Sequence, residues 1–144
     1  MLFETPPLDW LIGYRLESLI RREYDWLFCF DRQVQISVGC LWRLLADSRI
    51  CCTSEDDGLL FGDAAPVDAA TYFNRRIAGT AIQSVELLDG TLDLTIRFEN
   101  GLTLQIIPSS ARYEAWQIDH ISGSILLAIG GGDLAVRGQP PGAA

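Results

Sequence analysis

Apolar and polar residues alternate with a period of two over most of this chain, the pattern of strands with one buried face. Tyr24, Trp26, Phe28 and Phe30 share one face of a segment over residues 24–30. Val34, Ile36 and Val38 carry the alternation on through Gln33, Gln35 and Ser37. Asp31-Arg32 between the two segments predicts a short turn, and so a hairpin with one buried and one polar face. A strand over residues 11–20, with Leu16 and Ser18 two residues apart, is expected before it, behind an extended leader that ends at Pro6-Pro7. Residues 41–50, with Trp42, Leu44 and Leu45, fit a strand better than a helical turn.

The pattern breaks at Thr53-Ser54-Glu55-Asp56-Asp57-Gly58, a polar, acidic loop. A short strand over residues 59–61 is expected next, then a helix over residues 64–78. Asp63 suits its N-cap, Pro66 its first turn, and Asp68 the positive end of the helix dipole. Val67, Ala70, Phe73 and Ile77 recur at helical spacing, Arg75 and Arg76 fall in the last turn, and Gly79 closes it. Period two then returns over residues 81–88, 91–98 and 102–107. Asp89-Gly90 and Asn100-Gly101 between them are hairpin turn pairs. Further strands are expected over residues 113–118, 125–129 and 134–136, the last after a turn at Gly130-Gly131-Gly132-Asp133. Residues 138–144 form a frayed Pro/Gly/Ala tail.

The two halves resemble each other. Gly13, Leu16, Ser18 and Leu19 lie against Gly79, Ile82, Ser84 and Val85. Asp25, Phe28, Phe30 and Asp31 lie against Asp93, Ile96, Phe98 and Glu99, and Val34 and Ile36 against Leu102 and Leu104. Trp42-Arg43 is echoed by Trp116-Gln117. The reading is a single domain over residues 1–144 with two pseudo-repeats, 11–50 and 79–118, joined by the acidic loop and the helix. The fold class expected is α+β: mostly antiparallel β, two related meanders in a sandwich or partly open barrel, and one main helix near residues 64–78.

Composition narrows the function classes. With 144 residues, 49% of them hydrophobic, the chain has material for one core and no run long enough for a membrane span. Nineteen acids against eleven bases give a net charge of −8. That balance speaks against a nucleic-acid partner, which needs a basic patch, and suits a basic protein partner. All bases are arginine, as expected of a GC-rich bacterial coding sequence. Cys29, Cys40, Cys51 and Cys52 form no Cys-x-x-Cys pair and the single histidine, His120, is remote from them, so no metal is expected. No secretory signal opens the chain, and a cytoplasmic setting with reduced thiols is the expectation.

Candidate chemistry is sparse. His120 stands near no serine or cysteine motif, so no catalytic residue is assigned and no cofactor is expected. Gly130-Gly131-Gly132 leads into a strand, whereas a phosphate cradle opens a helix. The candidate partner-binding residues are the acidic run Glu55, Asp56 and Asp57, and the trio Tyr113, Glu114 and Trp116, since Tyr and Trp anchor interfaces.

Leu94-x-Ile96-x-Phe98-x-Asn100-Gly101, followed by Tyr113-Glu114-x-Trp116 and Gly131-Gly132-x-Leu134-Ala135-Val136, resembles a family of small uncharacterised bacterial proteins. Trp42-Arg43 and the helix closed by Gly79 fit the same pattern, over roughly residues 10–137. That family is a domain of unknown function, so the resemblance implies no reaction. In size and composition the chain is similar to immunity proteins that neutralise bacterial toxins, which is an analogy. The leading expectation is therefore a non-enzymatic protein-binding domain, an immunity-type inhibitor of a basic toxin. Two alternatives stay open: a small-molecule or enzymatic domain with a pocket between the meanders, and a homo-oligomeric structural subunit that pairs through a strand edge.

Overall fold

A computed structural model describes residues 7–77 and 79–142. The leader through Pro6, the expected last helical residue Ala78, and the tail residues Ala143 and Ala144 lie outside the described residues. Among the described residues eleven strands follow in chain order: β1 (Leu16–Arg21), β2 (Trp26–Phe30), β3 (Val34–Val38), β4 (Leu41–Ala46), β5 (Arg49–Thr53), β6 (Ile82–Leu87), β7 (Leu94–Phe98), β8 (Thr103–Ile107), β9 (Trp116–His120), β10 (Gly123–Ile129) and β11 (Asp133–Val136). One α-helix, α1 (Ala69–Ile77), separates β5 from β6. The strands form two antiparallel sheets that do not close into a barrel, as the α+β reading expects.

One sheet runs β1-β2-β3-β9-β10-β11 and the other β5-β4-β8-β7-β6. The first joins the β1-β2-β3 meander to β9-β10-β11 and the second the β6-β7-β8 meander to the β4-β5 hairpin, so each sheet combines strands from both halves of the chain. The registers match residue for residue. Leu16 pairs with Phe30 and Ile82 with Phe98, and both ladders then bulge by one residue before Ser18 and Ser84. Trp116 pairs with Val38 and Trp42 with Ile106; Ile118 pairs with Ile36 and Leu44 with Leu104. The incoming hairpins bulge at equivalent places too, beside Leu126 in one and Cys52 in the other. Where the halves meet, the contacts are reciprocal. The Gly13 N–H donates to the Ile82 carbonyl at 2.8 Å and the Gly79 N–H to the Leu16 carbonyl at 2.6 Å. The Leu16 N–H donates to Thr80 at 3.0 Å and the Ile82 N–H to Tyr14 at 2.8 Å. Gly13 and Gly79 hold φ of +92° and +83°, backbone that a side chain would strain.

The apolar faces of both sheets meet in one cluster. At its centre Trp42 stands edge-to-face with Trp26 at 5.1 Å, with Phe28 at 5.7 Å and with Phe73 of α1 at 5.4 Å. Helix α1 buries Ala69, Phe73 and Ile77 beside β1 and β5, one edge strand from each sheet. Burying Phe73 contributes about 1.5–3 kcal/mol. Asn74 on the same helix accepts from the Leu19 N–H at 2.7 Å and donates to its carbonyl at 2.9 Å, so it pairs part of the β1 edge.

Several expected boundaries move. Residues 9–11 form a 3-10 turn, and the first strand starts at Leu16; the bulge before Ser18 turns Leu19 inward. Residues 41–50 are not one strand: Asp47 and Ser48, at φ +50° and +62°, turn the chain into the β4–β5 hairpin. Residues 59–61 are no strand but an exposed turn, with Leu60 and Phe61 52% and 65% accessible. The helix begins at Ala69, because Val67 is committed to Gly58 and Leu59 in a loop pairing. Its cap is Asp68, whose carboxylate accepts from the Thr71 N–H at 3.1 Å, and not Asp63. That bond holds the Asp68 carboxyl below its ordinary pKa. The Asp89-Gly90 pair makes no two-residue turn; residues 88–93 form a longer loop, and its strand starts at Leu94. Likewise the strand expected over residues 113–118 starts at Trp116, leaving Tyr113 and Glu114 in the loop before it.

Candidate functional site

Two crossover links, residues 39–40 between β3 and β4 and residues 108–115 between β8 and β9, carry the chain from one sheet to the other. Their polar backbone is satisfied locally. The Gly39 N–H donates to the Ala115 carbonyl at 2.8 Å, and Ser110 Oγ accepts from the N–H groups of Arg112 and Tyr113 at 3.0 and 2.8 Å. This turn leaves Tyr113 80% accessible and Glu114 exposed.

Three hollows share Gly39 as a lining residue. The largest, about 410 Å³, lies between Tyr24, Trp26, Leu41, Ser54 and Glu55. The second, about 270 Å³, is lined by Arg22, Asp25, Ser37, Glu114, Gln117 and Asp119. The third, about 200 Å³, lies under Tyr113 and Glu114. The two candidate groups, far apart in sequence, therefore meet around one link: Glu55 on one side, Tyr113 and Glu114 on the other.

The remaining candidates have other positions. Asp57 Oδ1 accepts from the Ala69 N–H at 3.0 Å, and its Oδ2 lies 3.6 Å from Arg21 Nε. It ties the acidic loop to the start of α1 and to β1. Asp56 is half-buried in the 3-10 turn Ser54–Asp56 and does not line the three hollows. Trp116 is a core residue, 2% exposed, whose Nε1–H donates to the Leu92 carbonyl at 2.9 Å, so its ring has no surface to offer a partner. Tyr24 is 87% accessible on the rim of the largest hollow, a contact position that residue type alone does not reveal. Its alternation with Trp26 and Phe28 reads as core, and only the β1–β2 turn places it outside.

The charges on this surface sort into paired and unpaired. Arg22 grips Asp25 through Nε at 2.6 Å, and that carboxylate raises the arginine pKa above its ordinary value. Arg21 donates to the carbonyls of Arg22 and Asp25 at 2.8 and 3.0 Å, and its guanidinium lies 4.7 Å from the Trp26 ring centroid. Glu55 and Glu114 take part in no ion pair among the described residues. Cys40 lines the largest hollow, and burial pushes its thiol up to about 12, which favours the protonated form at neutral pH. Cys52 is pushed up to about 12 for the same reason. His120 ends β9, with its Nδ1 2.7 Å from Ser122 Oγ. The Gly130–Gly132 run is a packing device: a Cβ on Gly132 would run into the Gly90 carbonyl, and one on Gly130 into the Arg112 backbone. No helix among the described residues is long and apolar enough to cross a membrane.

Comparison with protein-family models, with curated proteins and with solved structures found no match. The family resemblance described above thus rests on the residues quoted for it.

Proposed function

We propose that this chain is a non-enzymatic protein-binding domain with a basic partner, of the kind an immunity-type inhibitor of a basic toxin would be. The observation that carries this reading is the meeting of Glu55, Tyr24, Tyr113 and Glu114 around the Gly39–Cys40 link. Two exposed tyrosines supply rigid, amphipathic contact area. Two carboxylates without ion pairs among the described residues supply a field that a basic surface would complete, and the net charge of −8 steers such a partner in. Arg21 and Arg22 already face Asp57 and Asp25, which leaves the exposed Arg112 beside Tyr113 as the opposing charge in this link.

The test is capture from source cells with the tagged protein, washed at low and then high salt, beside a Glu55→Gln, Glu114→Gln variant. The expected result is one stoichiometric partner of basic composition, lost as salt rises and weakened about tenfold or more in the variant. No partner, or one that the salt and the variant leave unmoved, overturns the reading.

A further inference from the structure

The two halves differ at their first hairpin loop. The Arg22 N–H donates to the Asp25 carbonyl, and its counterpart Leu88 N–H to the Asp93 carbonyl, both at 2.9 Å. Between these equivalent bonds stand Glu23 and Tyr24 in one half, but Asp89, Gly90, Thr91 and Leu92 in the other. The longer loop folds inward. Leu92, at φ +65°, is 3% exposed, and its carbonyl takes the Trp116 indole N–H. The close seat of Gly132 on Gly90 holds the loop down. The shorter loop leaves both Glu23 and Tyr24 exposed, with Tyr24 on the rim of the 410 Å³ hollow.

Trp42, the counterpart of Trp116, shows what is missing. It is fully buried, yet its Nε1–H has no hydrogen-bond partner among the described residues. Such an orphan is uncommon, because an unmade bond costs a buried donor its hydration. The 410 Å³ hollow is not lined by Trp42 itself but by residues around it, and the Trp26 ring stands between the two. Its walls include Leu41, which precedes Trp42 in β4, and Ser54, whose Oγ accepts from the Trp42 N–H at 3.1 Å. Trp26, whose ring stands against Trp42, forms another wall.

We propose that this hollow is the seat for an apolar turn of the protein partner, filling in the first half the place that Leu92 fills in the second. The turn presents a leucine-sized side chain to the Trp26, Leu41 and Ile107 wall. Its backbone carbonyl accepts the Trp42 indole N–H once the Trp26 ring turns aside, and basic residues beside it face Glu55. This inference rests on the protein-binding reading and names what the partner inserts.

The probe is a cyclic peptide carrying the chain's own Leu88–Asp93 loop with Asp89→Arg and Asp93→Arg. The readout is the indole N–H region of a nitrogen-15 spectrum, with the Trp42 signal assigned from Trp42→Phe. The peptide is expected to move the Trp42 signal downfield toward that of Trp116. Ser109→Trp, at an exposed position on the mouth of the hollow, is expected to weaken binding about tenfold. A Trp42 signal that stays put at saturating peptide, or moves equally in Ser109→Trp, overturns the inference. A second variant needs no ligand: Glu23-Tyr24 replaced by the sequence of residues 89–92. It is expected to shift the Trp42 signal by itself, raise Tm and lose the captured partner. A grafted protein that still captures the partner leaves the binding reading standing and removes this one. Wild type that captures nothing, while the peptide still moves Trp42, removes the binding reading and the partner with it, and leaves the hollow only as a seat for an apolar turn.

Discussion

Trp42 and Trp116 hold equivalent strand positions and differ by one hydrogen bond, which makes them a matched pair for substitution. Each change to Phe loses similar packing. Trp116→Phe also strands the Leu92 carbonyl, while Trp42→Phe removes a donor that bonds to nothing. Trp116→Phe is therefore expected to cost about 1–3 kcal/mol more in urea unfolding; equal losses would show that the Leu92 bond contributes nothing net. Asp68 offers a pH test. Its carboxyl pKa is lowered in the fold, so its contribution is complete above the ordinary Asp value of about 3.9 and fades as the pH falls through the lowered native value. Asp68→Ala is expected to cost about 1 kcal/mol at neutral pH, and Asp68→Asn less, because asparagine caps without charge. Thermal melts from pH 7 down to 2 should find the gap between wild type and Asp68→Asn closing with acid; a constant gap would contradict the charged cap.

Elements were legible where the period was clean. The ladders of β2, β3, β7 and β8 follow Phe28, Ile36, Ile96 and Leu104, and the alternating burial needs nothing beyond period two. What escaped notice was set by neighbours distant in sequence. The β4–β5 turn is built from Asp47 and Ser48, which carry no glycine signal, although both have positive φ. Leu92 fits the strand period, but its carbonyl accepts the Trp116 indole N–H from a loop. The start of α1 depends on Asp57 and on the pairing of Val67 with Gly58, neither visible in helical spacing. Of the candidate site, Glu55, Tyr113 and Glu114 came from composition and residue type; their convergence required the crossover links. The turn yields an element-scale prediction. Asp47→Asn with Ser48→Gly suits the observed backbone and is expected to add about 0.5–2 kcal/mol to stability, read as a higher urea midpoint with an unchanged slope. A lower midpoint would mean that the native side chains hold the turn by contacts of their own.

At the scale of the whole molecule, each sheet is finished by strands of the other half, so cutting the connector should not separate the halves. A protease site placed in the exposed turn at Gly62-Asp63 is expected to give a nicked protein that elutes at the intact volume and melts cooperatively. Two separate fragments in the absence of denaturant would refute that interdependence. The same arrangement sets a clock during synthesis. Leu44 of β4 must wait for Leu104 of β8, sixty residues later, and Ile36 of β3 for Ile118 of β9. At about 5–20 residues per second, that is roughly 3–12 s for the first pairing alone, with Trp42 and Leu44 meanwhile without their sheet. Slower translation across the second half therefore lengthens the time these apolar residues stay open to aggregation.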